Sequence, residues 1–362
     1  MTTTPPPPAR AIAPPDRVSP PAALVEDGRY RFGTYDGPIA RINPLDVAGT
    51  GPRAVVGRAA RNRRLKEWQA FQLGNDEWFV LGAVYDTKLI SLLQVLAVHV
   101  PTGRIHRWER KVPTTTVHVA RGLSGTRSHG RTGGFSISLG NDLDEGRLTV
   151  DATHPGRGGL PALELHGVGR CGPGEAGHLV ICHPFGDDRA LYSHKCMMPF
   201  AGTLRIGAEV VALDAESSFL ILDDHHGDYP RPMQYDWVTG AHRTSDGTVV
   251  GFNLTDNQVR DPEVFNENAV WIGEAVHRLP AVHVERPEGP WGPWHVRDAH
   301  GRVDVTFRPR VRSEMHVGPR RLLAEYYAPY GGFEGTIRYG ERGESLDVGE
   351  CFGVGEQKLI RI

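Results

Sequence analysis

Residues 78–85 read Trp-Phe-Val-Leu-Gly-Ala-Val-Tyr, an apolar run that is rich in aromatic and β-branched side chains. Such side chains fit the pleated surface of a sheet, so this run predicts a buried β-strand. Residues 92–100 have the same character. Farther along, residues 135–139 alternate between large apolar side chains and serine, which is the period of a strand with one buried face.

Runs of these two kinds recur along the rest of the chain. They lie at residues 148–150, 163–165, 179–182, 204–206, 219–222, 249–254, 303–307, 336–339 and 345–348, with a turn expected at Gly202. Spacings of roughly 8 to 15 residues, with turn signals between the runs, favour meandering antiparallel sheets as in barrels. Only residues 61–70 and 261–272 are predicted as helices, the second with Asp261 as its N-cap. The sequence therefore predicts an all-β fold with few short helices.

The length of 362 residues fits two domains of ordinary size. Residues 1–27 begin with a stretch rich in Pro, Thr and Ala, which lacks the apolar surface needed to fold, so we predict a disordered tail there. We expect an N-terminal β domain over residues 28–206 and a C-terminal β domain over residues 207–362.

The overall composition excludes several classes of protein. The 41 Lys and Arg against 43 Asp and Glu give a net charge of -2, which provides no basic field for nucleic acid. No apolar signal region begins the chain and no run of about 18 apolar residues follows, so we expect no signal peptide or membrane span and a cytoplasmic protein with reduced thiols. Phosphate-loop, nucleophile-elbow and His-Glu-x-x-His motifs are absent, and the glycine pairs lack the strand-loop-helix frame of a dinucleotide site. We expect neither a cofactor nor a metal.

The densest polar run, Asp-Asp-His-His-Gly-Asp-Tyr at residues 223–229, directly follows the apolar run 219–222. A polar cluster at the end of a buried strand is well placed to line a barrel mouth or a cleft. Because side chains alternate along a strand, Asp224 and His226 share one face and His225 points to the other. Three interpretations remain open: an acid–base pair of His and Asp, a metal site that includes Asp224 and His226, or a structural cluster of backbone caps and surface histidines.

Other polar groups are candidate ligand contacts. Asn266, Glu267 and Asn268 precede Trp271, and such a set suits either a bound ligand or the cap of a turn. Lys195 lies three residues after Tyr192 and is suited to hold an anion, whereas we do not expect its neighbour Cys196 to be a reactive thiol. The remaining candidates are His225, Tyr229, Tyr235, Asp236, Trp237, Asn253 and Glu356.

Two resemblances to known families follow from these segments. The run Leu222–Gly227, followed by residues 235–237 and 246–247, resembles the Asp-His-x-Trp-Gly, Trp-Asp-Trp and Asp-Gly block of lipocalin-like proteins related to carotenoid 1,2-hydratase. The end of the chain, residues 333–356, resembles the closing hairpin of that group. From about residue 28 onward the chain also resembles an uncharacterised bacterial family, the domain of unknown function numbered 2804. This second resemblance is carried by Arg64–Trp68, Tyr192–Lys195, Asp223–Gly227, and Asn266–Asn268 with Trp271.

The hydratase resemblance implies two lipocalin-like β domains with a ligand cavity, in a group that includes hydratases and cyclases of hydrophobic compounds. In the hydratases the His and Trp of the block are implicated in catalysis. Here Asp223 and Gly227 match the block, but Asp224 stands at the position of that His and His226 at the position of that Trp. This departure argues against carotenoid hydration itself.

Our first hypothesis is an enzyme that hydrates, isomerises or cyclises a hydrophobic or amphipathic small molecule without a redox cofactor. Asp223, Asp224 and His226 would transfer protons, and the rings of Tyr235 and Trp237 would shape the cavity and stabilise a cationic intermediate. The second hypothesis is a protein that binds such a molecule without turnover. The third is a carbohydrate-active β protein that uses paired carboxylates and aromatic platforms.

Overall fold

The computed structural model describes residues 17–51, 55–317 and 324–361. Helices within these residues are short and comprise α1 (Arg58–Asn62) and 3-10 turns at Pro44–Asp46, Thr114–Thr116 and Leu143–Glu145. A ribbon of two strands, β1 (Val25–Glu26) and β2 (Arg29–Tyr30), precedes two large antiparallel sheets that each curl into a half-barrel. The all-β prediction is confirmed, and the fold is lipocalin-like.

The first sheet has 14 strands in the described part of the chain. They are β3 (Gly33–Tyr35), β4 (Lys66–Gly74), β5 (Trp78–Asp86), β6 (Ser91–His99), β7 (Arg104–Val112), β8 (Val117–His118), β9 (Thr126–Thr132), β10 (Phe135–Asp142), β11 (Arg147–His154), β12 (Leu163–Arg170), β13 (Gly177–Gly186), β14 (Arg189–Ile206), β15 (Glu209–Leu213) and β16 (Phe219–Gly227). Their main order is β7-β6-β5-β4-β16-β14-β12-β11-β10-β9-β8, and β13 and β15 pair with β14 beside this path.

The second sheet has 12 strands, again counted over the described residues. They are β17 (Met233–Arg243), β18 (Val249–Asn257), β19 (Ala269–Ile272), β20 (Ala275–Arg278), β21 (Val282–Glu285), β22 (Trp294–Asp298), β23 (Val303–Val311), β24 (Glu314–Val317), β25 (Ala324–Tyr327), β26 (Tyr330–Tyr339), β27 (Glu344–Asp347) and β28 (Phe352–Ile360). Their main order is β20-β19-β18-β17-β28-β26-β23-β22-β21, and β25 pairs with β28 beside this path.

The chain passes from the first sheet to the second between Gly227 and Met233. Strands β15 and β16 lie beyond residue 207, yet both pair with β14 of the first sheet. The change of sheet therefore falls two strands later than the boundary expected near residue 207.

Strand β14 is the longest and runs straight through Gly202, where the sequence indicated a turn. Its first part pairs with β13 and β16, and its second part pairs with β12 and β15. A Cβ atom at Gly202 would lie 2.4 Å from the backbone oxygen of His166 on β12. The glycine is thus required by the close approach of two strands rather than by a turn.

We expect Gly202→Ala to lower the free energy of unfolding by about 1–3 kcal/mol, because the added methyl group must displace the backbone of β12. Gly57→Ala is the matched control, since Gly57 has no atom within 4 Å of the added Cβ and an ordinary negative φ. Urea denaturation of both variants measures the difference. Equal stabilities would show that β12 and β14 can separate without cost.

Three large core clusters follow from the alternation of side chains along these strands. One contains Phe71 and Phe135 and belongs to the first sheet, and another contains Phe252 and Phe307 and belongs to the second. The third combines side chains of both sheets, such as Phe79 and Val354, and therefore lies between them.

Both helix predictions are wrong, although α1 overlaps the first of them at residues 61–62. Residues 66–70 belong to β4, whose pairing with β5 and β16 outweighs their local helical pattern. Residues 261–265 form turns, and residues 269–272 form β19.

Within the predicted tail, residues 1–16 lie outside the described residues. Leu24 and Val25 are buried in a small cluster against β13 and β14, so the tail prediction is wrong for the part that follows residue 16.

Candidate functional site

A cavity of about 160 Å³ lies between the two sheets. The first sheet contributes side chains of β4, β5, β6, β14 and β16, and the second contributes side chains of β17, β18, β25 and β28. Most of its wall is aromatic or aliphatic, including Trp68, Leu81, Tyr85, Leu92 and Trp237. Such a concave apolar site with a few polar groups is the usual form of a small-molecule site.

The alternation of side chains along β16 determines which of its residues face this cavity. Asp223 and His225 face it, on the same side as Trp68 of the adjacent β4. Asp224 and His226 point to the other face of β16, which carries the core of the first sheet. They do share one face, as the sequence indicates, but that face turns away from the cavity.

Lys195 and Asp223 form the central ion pair of the cavity. They are cross-strand partners on β14 and β16, and the Lys195 Nζ atom lies 2.5 Å from Asp223 Oδ1. The indole N–H of Trp68 donates to Asp223 Oδ2 over 3.1 Å. A second carboxylate, Glu267, lies 3.6 Å from the Lys195 ammonium. Both carboxylates are almost fully buried, as is Lys195.

Burial by itself lowers the pKa of Lys195, but its two carboxylate partners act in the opposite direction. Asp223 and Glu267 together outweigh burial and raise the pKa of Lys195 above its ordinary value. Lys195 is therefore a fixed positive charge inside the cavity.

A second ion pair comes from β28 of the other sheet. Glu356 accepts hydrogen bonds from the hydroxyls of Tyr235 and Tyr326 and lies 3.6 Å from the Lys358 ammonium. That ammonium also lies 4.7–5.6 Å from four ring centroids, those of Trp68, Tyr85, Tyr235 and Tyr326. Lys358 thus occupies an aromatic cage, in which ring faces stabilise its positive charge.

The rings of Trp68, His225 and Tyr229 form a stack beside the first ion pair. The centroids of Trp68 and His225 are 3.9 Å apart with an angle of 8° between the planes. The Tyr229 hydroxyl is hydrogen-bonded to His225 Nε2. Burial lowers the pKa of His225 well below its ordinary value, and the nearby Lys195 lowers it further. His225 is therefore a neutral imidazole at pH 7.

Asn253 supports the cavity from behind Trp237. The indole N–H of Trp237 donates to Asn253 Oδ1 over 2.5 Å, and Asn253 Nδ2 donates to the backbone oxygen of Glu267 over 2.7 Å. These bonds fix the Trp237 ring and the backbone of the segment that carries Glu267.

The two predicted catalytic residues outside the cavity belong to a separate buried network. His226 Nδ1 lies 2.9 Å from Glu67 Oε1, and His226 Nε2 lies 3.5 Å from Asp224 Oδ1. Glu67 is also paired with Lys88 and Arg121. Burial lowers the pKa of His226, but Asp224 and Glu67 outweigh this effect and raise it to about 9. His226 is therefore an imidazolium between two carboxylates.

Four other predicted ligand contacts lie away from the cavity and have structural partners. Asp236 lies on the opposite face of β17 from Trp237 and forms an ion pair with Arg286 at 2.7 Å. Asn266 and Asn268 hold the turn before β19 by bonds to backbone atoms of Pro262, Thr255 and Pro280. The indole N–H of Trp271 donates to the backbone oxygen of Gly177.

The structure brings together eight of the predicted residues and several that the sequence analysis missed. The eight are Lys195, Asp223, His225, Tyr229, Tyr235, Trp237, Glu267 and Glu356. Trp68, Tyr85, Tyr326 and Lys358 were missed. Lys358 had a usable signal, since it follows Glu356 by two residues and so shares its face of the strand.

Neither a metal cluster nor a membrane helix stands out in the part of the chain that the structure describes. No group of three or more His, Cys, Asp or Glu side chains among residues 17–51, 55–317 and 324–361 could hold a metal ion. In the same residues, no helix has the length and apolar character needed to cross a membrane.

Comparison with solved structures identifies relatives in fold. The crystal structure of CghA with Sch210972 has a TM-score of 0.52 and 14% identity, with coverage of 83% of this chain and 89% of that chain. Kievitone hydratase from Nectria haematococca has a TM-score of 0.49 and 13% identity, with coverage of 89% and 95%. A putative AttH from Nitrosomonas europaea has a TM-score of 0.46 and 11% identity, with coverage of 83% and 93%. These similarities concern the fold, and no curated protein matches the chain by sequence.

The family is shown by the sequence as a whole. The family described as a domain of unknown function, DUF2804, matches residues 16–361, a range that includes both sheets and every side chain of the cavity wall. The resemblance predicted from four short segments is confirmed. The chain belongs to the DUF2804 family.

Proposed function

We propose that this protein is an enzyme that binds an amphipathic small molecule between its two sheets and moves a proton in a hydration, isomerisation or cyclisation. The observation that carries this proposal is the presence of two buried ion pairs, Lys195–Asp223 and Glu356–Lys358, in the wall of one aromatic cavity. Chemistry of this kind needs no redox cofactor.

The free-energy cost of burying these ion pairs supports a functional role for them. Removing an ion pair from water costs several kcal/mol per ion, and apolar side chains of similar size would often serve stability as well or better. Buried charges in a cleft are therefore candidates for a functional site, especially where burial and a defined partner shift their pKa. Lys195 meets both conditions, since it is almost fully buried and its pKa is raised by Asp223 and Glu267.

The cavity side chains can be assigned chemical roles. His225 is a neutral imidazole, so it can accept a proton through the Tyr229 hydroxyl that it contacts. Lys195 is a held positive charge, suited to stabilise negative charge that develops on a substrate oxygen. Trp68 and Tyr235 present ring faces that stabilise a cationic centre, as they do for Lys358.

Small-molecule binding by a protein of similar fold gives the proposal context. CghA was solved with Sch210972, and we extend the binding of a small molecule to this chain as part of the proposal. The ligand itself follows from the cavity of this chain rather than from CghA.

The test uses native mass spectrometry of the protein purified from its own host, with identification of any bound molecule. Wild type is compared with Asp223→Asn and Asp224→Asn, which change adjacent carboxylates on opposite faces of β16. We expect wild type to retain a small molecule and Asp223→Asn to retain a chemically different one, the unconverted substrate. If the retained molecule differs from that of wild type only in Asp224→Asn, the chemistry belongs instead to the Asp224–His226 network.

Two results would contradict the enzyme proposal. If all three proteins retain the same molecule, the cavity binds without turnover and the protein is a carrier. If none of the three proteins retains a molecule, and apolar dyes do not bind in the cavity either, binding between the sheets is itself refuted.

A further inference from the structure

Glu267 differs from the other two carboxylates of the cavity in its hydrogen bonding. Both oxygens of Asp223 are engaged, one by Lys195 and one by Trp68, and both oxygens of Glu356 accept from tyrosine hydroxyls. Glu267 Oε2 is buried and has no hydrogen-bond partner among the residues that the structure describes. Its nearest cation is the Lys195 ammonium at 3.6 Å, which is beyond hydrogen-bond distance.

The backbone of Glu267 is fixed even though its Oε2 atom accepts no hydrogen bond. Its backbone oxygen accepts a hydrogen bond from Asn253, and its side chain is 6% exposed and lines the cavity. A buried acceptor without a donor is unfavourable, so a rigid site of this kind is arranged for a donor that arrives with a ligand.

We propose that Glu267 and Lys195 together bind a hydroxyl group on an uncharged, largely apolar ligand. The hydroxyl donates to Glu267 Oε2, and its oxygen accepts from the Lys195 ammonium. This inference rests on the proposed function, because it concerns the ligand of the same cavity and names the class of that ligand.

Charge explains why a neutral hydroxyl fits better than an ion. A ligand ammonium at Glu267 would lie next to the Lys195 ammonium, which carries the same charge. A ligand carboxylate at Lys195 would lie next to Asp223 and Glu267, which already neutralise that lysine. A hydroxyl both donates and accepts, so it satisfies both groups without adding charge to a low-dielectric cavity.

The same contact defines a proton-transfer step that balances. The ligand O–H bond breaks, its proton moves to Glu267 Oε2, and its electron pair stays on the oxygen. The negative charge that forms on this oxygen lies beside the Lys195 ammonium, which stabilises it. No co-reactant is required.

Binding of four naphthalene probes tests the inference, with quenching of tryptophan fluorescence as the readout because Trp68 and Trp237 line the cavity. The probes are 2-naphthol, naphthalene, 2-naphthoate and 2-naphthylmethylammonium, which share one apolar body and differ in the polar group. We expect wild type to bind 2-naphthol about tenfold or more tightly than each of the others, since a hydrogen bond to a charged group contributes about 1.5–3 kcal/mol.

Two variants assign the preference to Glu267. Glu267→Gln should reduce the preference for 2-naphthol over naphthalene to less than about twofold, because the amide is neutral and a weaker acceptor. Glu263→Gln makes the same chemical change at an exposed glutamate four residues earlier and should keep the preference. The wild-type comparison of probes stands as a test by itself if Glu267→Gln fails to fold.

The outcomes separate this inference from the proposed function. Equal binding of 2-naphthol and naphthalene, a preference that survives in Glu267→Gln, or tightest binding of either charged probe would overturn the hydroxyl site and leave ligand binding between the sheets in place. Failure of all four probes to bind would refute the cavity as a ligand site and this inference with it.

Discussion

Lys195→Met is expected to lower the free energy of unfolding by about 3–5 kcal/mol, because it leaves buried charge without its partner. In the wild type the Lys195 ammonium lies 2.5 Å from Asp223 and 3.6 Å from Glu267. Methionine fills a similar volume, so the loss would report on charge rather than on packing. Urea denaturation at pH 7 and low salt measures it.

A second variant separates the charge effect from any local rearrangement. Asp223→Asn in the Lys195→Met background removes one of the two orphaned carboxylates and should recover part of the lost stability. A deficit below about 1 kcal/mol would show that cavity water solvates these carboxylates and that the ion pair is not desolvated.

The sequence predicts the strands well because their signal is local. The runs at residues 78–85, 135–139 and 249–254 became β5, β10 and β18, since aromatic, β-branched and alternating side chains each indicate a sheet surface. The period of two also predicted correctly that Asp224 and His226 share a face.

The local sequence does not show which face of β16 lines the cavity. All of Phe219–Gly227 is buried, so the strand shows no polar–apolar alternation that would identify an outer side. The face depends on pairing with β4 and β14 and on the second sheet that covers one side, and the local period of two encodes none of these three contacts. Sequence reasoning could therefore group Asp224 with His226 but could not place Asp223 and His225 in the cavity.

Trp68 was missed for a related reason. Its neighbours from Arg61 onward fit a helical pattern, and α1 does exist at Arg58–Asn62. The residues from Lys66 onward nevertheless form β4, because β5 and β16 pair with them on both sides. Local propensity is a weak preference that tertiary pairing overrides.

Stability should depend on pH through His226, and the direction can be derived from its pKa. Asp224 and Glu67 raise this pKa to about 9 in the folded protein, against an ordinary value of 6.5. A histidine with a raised folded pKa contributes stability that is complete below the unfolded pKa and is lost as the pH rises through the folded pKa. The contribution of His226 is therefore present near pH 6.5 and lost by about pH 10.

We expect the stability difference between wild type and His226→Gln to shrink by about 2–3 kcal/mol from pH 7 to pH 10, measured by urea denaturation at each pH. Lysines and tyrosines that titrate in this range are the same in both proteins and cancel in the difference. His225→Gln is the matched control: burial keeps His225 neutral, so its difference from wild type should stay constant over this range. A constant difference for His226→Gln as well would mean that His226 is neutral. In that case Glu67 would be held only by Lys88 and Arg121, and Asp224 would be buried without an imidazolium partner.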